Sequence, residues 1–257
     1  MRFVYKVKIS VDLICSVIQY CEKIITMNLL KNFTLLKALS LSFSKDKLFY
    51  RYLLSKRKSS KSQIFQDLFA FYHADSCWNG FFVEVGVGNG KDLSNTYFLE
   101  KKKKWKGLLC EADTRMLKKI KKNRKSKKTR LISMPVSSFC KKKIKFFENS
   151  KDPYQSSSNY IGHSQIKYTK SICLNHLLKK NNAPKKIHYM SIDTEGNEYD
   201  IISKLNFKKW KVKTITIEHN FNNEKRDKIY NFLIKNNYKR FYSQISYMDD
   251  WYVLQSS

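Results

Sequence analysis

A glycine-rich segment, followed at a fixed distance by an acidic residue, carries the chemistry most readily read from this sequence. Gly86, Gly88 and Gly90 follow the apolar run 81–83, with Glu84 and Val85 between them, and glycine lets a backbone turn sharply and pass close to a ligand. Glu111 ends a second apolar run, 21 residues after Gly90. An acid at about this spacing in a βαβ unit reaches a ribose hydroxyl. The pattern predicts a site for a nucleoside-containing cofactor.

The glycine spacing favours one cofactor over another. A dinucleotide fingerprint reads G-x-G-x-x-G, whereas the third glycine here comes one residue early. Glu84 precedes Gly86 by two residues, and a carboxylate at a strand end would attract an ammonium group and repel a pyrophosphate. S-adenosyl-L-methionine carries an ammonium and a sulfonium group and lacks phosphate. It therefore fits this turn better than NAD does, with Glu84, the three glycines and Glu111 as binding residues.

Further binding candidates follow from the position of the predicted strands. Ligands of an open parallel sheet bind at the carboxyl ends of its strands. Ser137 follows the third strand and is placed to line an adenine ring, and Asn95 is expected to reach the carboxylate of the cofactor. Gln63 and Asp67 are expected to cap and pack the leading helix, and contact with the cofactor is the alternative.

Catalytic candidates follow the fourth and fifth strands. Asp193, Glu195 and His219 are the candidates for a base that takes a proton from a substrate. Each has an alternative: Asp193 can fix the methionine end of the cofactor, Glu195 can cap the next helix, and His219 can be a packed core residue. Oxygen atoms of Asp193, Glu218 and Asn220 could hold a metal, but nothing in their spacing demands one, and no metal is expected.

The elements that must position these residues alternate along the chain. Alternating apolar runs and amphipathic stretches predict an α/β fold, a Rossmann-like doubly wound, mostly parallel seven-stranded sheet with helices on both faces. The predicted strands are 81–85, 107–111, 130–134, 187–192, 213–218, 238–245 and 251–254. The predicted helices are 62–72, 92–103, 113–125, 171–181, 197–204 and 223–236. The polar segment 141–168 interrupts this alternation of strands and helices. It is predicted to be an insertion near the site, with a short strand at 143–147.

Residues 1–61 and residues 62–257 differ in their pattern of apolar and charged residues. Residues 1–61 predict a helical extension that ends in a basic linker, and residues 62–257 predict the cofactor-binding domain. Charged residues interrupt the apolar N-terminal stretch, so neither a transmembrane segment nor a signal peptide is expected, and a helix lying on a membrane surface is the alternative.

The charge and the cysteines bear on partners and surroundings. Lysine and arginine total 51 against 21 acidic residues. A solvated lysine face and attraction of an anionic acceptor both account for this excess. The six cysteines have no C-x-x-C pair, so the sequence predicts neither a zinc site nor a disulfide framework, and reduced, cytoplasmic surroundings fit best.

Several motifs together resemble the FkbM family of methyltransferases. They are, in order, Ser62-Gln63, Gln66-Asp67, Phe82-Val83-Glu84-Val85-Gly86, Leu93-Ser94-Asn95-Thr96-Tyr97, Ser191-Ile192-Asp193-Thr194-Glu195-Gly196, Ile217-Glu218-His219-Asn220 and Asp249-Asp250-Trp251. The resemblance spans residues 62–254, and the S-I-D-x-E-G block is its most specific part. It implies a class I S-adenosylmethionine-dependent fold that methylates a hydroxyl oxygen of a glycan or another small metabolite.

A second class of function has its own support in the composition. A net charge of +30 is also typical of RNA-binding proteins, an RNA methyltransferase among them. The sequence does not indicate an oligomeric state.

Overall fold

The computed structural model describes residues 25, 28–74, 76–140, 142–149 and 164–255. The expectations for a signal peptide and for a membrane-surface helix fall mainly on the first 24 residues and lie outside this part. Among the described residues, no helix is both long enough and apolar enough to cross a membrane.

A seven-stranded sheet forms the centre of the fold. Its strands are β1 (Phe81–Val85), β2 (Lys106–Cys110), β3 (Thr129–Ile132), β6 (Lys186–Ile192), β7 (Lys211–Glu218), β8 (Tyr238–Phe241) and β9 (Asp249–Leu254), in the spatial order β3-β2-β1-β6-β7-β9-β8. The first five strands in this order pair in parallel, and β9 pairs antiparallel with both β7 and β8. The strand order reverses between β1 and β6, which is where such sheets bind ligands.

Hydrophobic clusters cover both faces of the sheet. Along β1, Phe82 joins one cluster, while Phe81, Val83 and Val85 join the other, because successive side chains of a strand point to opposite faces. The helices α3 (Gln66–His73), α4 (Tyr97–Lys103) and α5 (Leu117–Asn123) contribute to the first cluster. The helices α6 (Leu174–Lys180), α7 (Glu198–Ile202) and α8 (Asn223–Lys235) contribute to the second. The doubly wound α/β fold is confirmed.

Most predicted elements are present, with shorter ends. The predicted strand 238–245 ends at Phe241, because Tyr242 has φ 54 and leaves the extended conformation. The helix predicted from residue 62 begins at Gln66, after Phe65 with φ 75. The helix predicted from residue 92 begins at Tyr97, because residues 94–96 form hydrogen bonds with Glu84 instead.

Helices that precede the sheet pack on its first face. Residues 28–41 form α1, which is followed by α2 (Lys47–Lys56) and a 3-10 helix (Arg57–Ser59). Phe49 of α2 stacks on Tyr242 with 4.1 Å between ring centroids, and it also contacts Phe69 of α3. The described helices of the extension thus share a hydrophobic cluster with the sheet. The division of the chain at residues 61 and 62 stays a prediction.

The insertion forms a hairpin. Strands β4 (Lys143–Asn149) and β5 (Ser164–Lys170) pair antiparallel. The sequence predicted the first of these strands and missed the second. At the base of the hairpin, an isolated bridge joins Val136 to Ile172.

A disulfide bond at the same place corrects one expectation. Cys140 and Cys173 are bonded, with Cα atoms 4.8 Å apart, so the expectation of no disulfide was wrong. The two cysteines are 33 residues apart in sequence, and the bridge between residues 136 and 172 brings them together. No local sequence pattern indicates that Cys140 and Cys173 lie close together.

Candidate active site

The glycine turn lies at the reversal of strand order and packs against the end of β6. Gly86 has φ 80, and a Cβ atom there would lie 1.6 Å from the backbone oxygen of Asp193. The Asp193 N–H donates to the backbone oxygen of Val85 at 2.9 Å. Only glycine accommodates both this conformation and this contact. The turn after β1 and the acid after β6 therefore have fixed positions relative to each other.

Glu111 closes the turn from the side of β2. Its Oε2 accepts hydrogen bonds from the N–H groups of Val87 and Gly88, at 3.0 and 2.9 Å, and its Oε1 accepts from the Asp113 N–H at 2.8 Å. Burial raises the pKa of Glu111 to about 7, and the three N–H donors oppose that rise. The residue thus orders the glycine turn and can change its charge near neutral pH.

Glu84 lies beneath the turn and is enclosed by other side chains. Its carboxylate accepts hydrogen bonds from the Thr96 hydroxyl at 2.6 Å and from the Asn95 N–H at 2.8 Å. Arg124, also buried, lies 3.3 Å from it and from Glu100. The cation that Glu84 meets in this structure is therefore a side chain of the protein, and the carboxylate is placed to hold the segment 94–96 in position.

On the far side of the reversal, a second turn follows β6. Glu198 accepts hydrogen bonds from the N–H groups of Thr194 and Gly196 through Oε1, and its Oε2 binds Lys225 at 3.0 Å. Glu198, rather than Glu195, accepts hydrogen bonds from the N–H groups of the turn that precedes α7. Glu195 has φ 57 and lines the cleft described next.

A cleft opens between the two turns. It encloses about 890 Å³ of space, the open solvent at its mouth included. Six of the residues proposed from sequence line it: Gly86, Gly88, Asn95, Glu111, Asp193 and Glu195. Pro135 and Val136 contribute an apolar wall, and Phe146 of the hairpin also lines the cleft.

Four proposed residues lie outside that lining. Glu84 is beneath the turn. Gly90 packs against α5, its carbonyl accepting from Arg124. The Ser137 hydroxyl is bonded to the backbone of Phe139. His219 is 2% exposed, and burial lowers its pKa, which favours the neutral imidazole.

Two amide side chains in the cleft have unpaired oxygen atoms. Oδ1 of Asn95 and Oε1 of Gln63 are buried and have no hydrogen-bond partner among the described residues, and both side chains line the cleft. Buried acceptors of this kind are normally paired, so both are suited to a ligand that donates hydrogen bonds. The sequence analysis gave Gln63 a packing role, with contact to the cofactor as the alternative, and the S-Q pair at residues 62–63 was the available signal.

The paired acids at the start of β9 have a structural role in this arrangement. Asp250 is bound by Arg226 at 2.8 Å and by Arg240 at 3.1 Å, and Asp249 accepts from the Gln66 amide at 2.9 Å. Both carboxylates are buried and do not line the cleft.

Comparison with known proteins places this arrangement in a family. The model of the methyltransferase FkbM domain matches residues 84–240, and no curated protein matches the chain. Two solved structures are similar to part of this chain. The precorrin-6y C5,15-methyltransferase from Geobacter metallireducens is 11% identical, with TM-score 0.41, over 68% of this chain and 72% of that one. A human methyltransferase 10 domain containing protein is 12% identical, with TM-score 0.37, over 73% of this chain and 80% of that one. Since the family model covers more than half of its residues, this chain belongs to the FkbM family of methyltransferases.

Proposed function

We propose that this methyltransferase uses S-adenosyl-L-methionine and transfers the methyl group to a hydroxyl oxygen of a glycan or a small metabolite. The observation that carries the proposal is the cleft at the reversal of strand order. The cleft is lined by Glu111 after β2 and by Asp193 and Glu195 after β6. Asn95 and Gln63 line it too, and each has an amide oxygen without a hydrogen-bond partner among the described residues.

The chemistry of the lining fits the cofactor. Pro135 and Val136 offer apolar surface for an adenine ring, and Glu111 offers a carboxylate for the ribose hydroxyls. The oxygens of Asn95 and Gln63 are acceptors suited to an ammonium group. The carboxylates of Asp193 and Glu195 favour positive charge nearby. An amide oxygen and a carboxylate would both disfavour a pyrophosphate, which argues against NAD.

Bound S-adenosyl-L-methionine would supply an electrophilic methyl group on a positively charged sulfur, which becomes a neutral thioether when the methyl leaves. The protein must hold the acceptor oxygen in line with that methyl group and receive the hydroxyl proton. Asp193 and Glu195 line the cleft and can reach an acceptor within it. We assign the base to one of these two. His219 does not line the cleft, so we do not assign it this role.

The first test is isothermal titration of the full chain with S-adenosyl-L-methionine and, separately, with NAD. We expect saturable binding of the first and none of the second, and binding of NAD alone would overturn the assignment of the cofactor.

The second test identifies the acceptor. The protein is incubated with methyl-labelled cofactor and cell extract, and glycan, lipid, protein and RNA fractions are counted. Label in a glycan or small-metabolite fraction supports the proposal. Label in RNA would instead favour the alternative based on the net charge of +30. Asp193→Asn and Glu195→Gln, assayed in parallel, show which of the two carboxylates methyl transfer requires while cofactor binding persists.

A further inference from the structure

Three carboxylates converge where β6 and β7 end. Asp193 follows β6, Glu195 lies in the next turn, and Glu218 is the last residue of β7. The two strands pair in parallel, with Ile192 opposite Ile217, so their next residues are neighbours. One oxygen atom of each carboxylate lies within 4.8 Å of the others. Three negative groups this close repel one another strongly unless a cation or a proton separates them.

Glu218 provides an independent sign that a ligand is bound there. Its side chain is 6% exposed, and Oε2 has no hydrogen-bond partner among the described residues. Burying an unpaired carboxylate oxygen is costly. Two basic residues of α8, Lys225 and Arg226, bind Glu198 and Asp250. The carboxylate of Glu218, which lies beside those of Asp193 and Glu195, thus has one oxygen atom without a hydrogen-bond partner among the described residues.

We propose that Asp193, Glu195 and Glu218 bind one divalent cation of the hard, oxygen-preferring class, namely Mg²⁺, Mn²⁺ or Ca²⁺. Such ions bind carboxylate oxygens at about 2.0–2.6 Å, so two oxygens on opposite sides of one ion are about 4–5 Å apart. The observed limit of 4.8 Å fits that span. All three ligands are carboxylates, which suits these ions better than zinc or copper. This inference departs from the sequence analysis, which expected no metal.

The position of the cation gives it a role in the reaction. Asp193 and Glu195 line the cleft, whereas Glu218 does not and lies deeper. A cation held by all three therefore lies at the inner edge of the cleft with open coordination positions towards it. There it would bind the acceptor hydroxyl, orient it and lower its pKa. This role rests on the proposed function, but the binding site itself does not.

The test measures cation binding alone. The full chain is treated with EDTA, dialysed and titrated with Mn²⁺ in the absence of cofactor and acceptor, and free Mn²⁺ is followed by electron paramagnetic resonance. We expect one saturable Mn²⁺ site for each chain. Glu218→Gln should raise the dissociation constant at least tenfold, and the matched control Glu224→Gln, at an exposed position on α8, should leave it unchanged.

Two further measurements keep the test decisive. Mn²⁺ should raise the unfolding temperature of the unsubstituted protein and of Glu224→Gln, but not that of Glu218→Gln. If Glu218→Gln does not fold, Glu195→Gln, at a partly exposed position, takes its place with the same expected loss. The absence of saturable binding, or equal affinity in the carboxamide variants and the control, would overturn the proposal. Because no cofactor is present, that outcome would leave the methyltransferase assignment standing.

Discussion

Replacing Glu111 with glutamine should weaken cofactor binding by an amount that the structure allows us to calculate. A carboxylate offers about four acceptor positions, and the N–H groups of Val87, Gly88 and Asp113 occupy three of them. About one position remains for a ribose hydroxyl. A hydrogen bond to a charged group contributes about 1.5–3 kcal/mol. We therefore expect Glu111→Gln to raise the dissociation constant for S-adenosyl-L-methionine by about 10- to 150-fold at pH 8.

The pH dependence provides a second, sharper expectation. Burial raises the pKa of Glu111 to about 7, and the ionised carboxylate is the better acceptor for a hydroxyl. Affinity should therefore be highest above pH 7 and should fall as the pH drops below 7, by about tenfold at pH 6, where about one carboxylate in ten is ionised. Glutamine does not titrate, so the ratio of the two dissociation constants should shrink over the same range.

Isothermal titration at pH 6, 7 and 8 measures both effects. The ratio between variant and unsubstituted protein cancels any titration of the ligand itself. Glu224→Gln serves as the control because Glu224 is exposed and pairs with Lys228 on α8. Circular dichroism checks that the glycine turn and the sheet remain folded. A ratio near one at pH 8, or a ratio that does not change with pH, would refute the role assigned to Glu111.

Three further substitutions test the scaffold of the site. Gly86→Ala should lower the free energy of unfolding in urea by at least about 3 kcal/mol, because of the positive φ and the overlap with the Asp193 backbone; near-neutral behaviour would contradict the contact. Arg124→Met should cost about 3–5 kcal/mol, since it leaves the buried carboxylate of Glu84 without its cation and leaves Glu100 with Lys101 alone; adding Glu84→Gln should restore part of this loss, and an additive further loss would argue against the pairing. Replacing both Cys140 and Cys173 with serine should cost about 2–4 kcal/mol, because the bond closes a long loop; non-reducing peptide mapping that finds no linked pair would contradict the disulfide.

The sheet was predictable because each buried strand has a local signature. The run Phe81-Phe82-Val83 and its counterparts are short, apolar and bounded by turn residues, and their alternation with helices predicts parallel pairing. The limits of the elements were less predictable. Leu93 and Tyr242 adopt positive φ angles that follow from tertiary contacts, so the helix before Tyr97 and the strand after Phe241 are shorter than their composition suggests.

The candidate site was predictable in position and less so in detail. Residues directly after strands must meet at the carboxyl edge of the sheet, which is why Gly86, Glu111 and Asp193 share a cleft. Sequence could not show that Glu84 faces Arg124, because 40 residues separate them. Glu198 was missed for a different reason: its bonds to Thr194 and Gly196 are local in sequence, but they depend on the path of the chain after β6.

The hairpin of β4 and β5 leaves and rejoins the sheet at nearly one point. Ser171 donates to the backbone oxygen of Lys142 at 2.9 Å, Ile172 donates to that of Pro135 at 3.0 Å, and the disulfide lies beside them. Phe146 of β4 lines the cleft. The covalently linked base thus anchors the strand that carries this cleft residue to the edge of the central sheet.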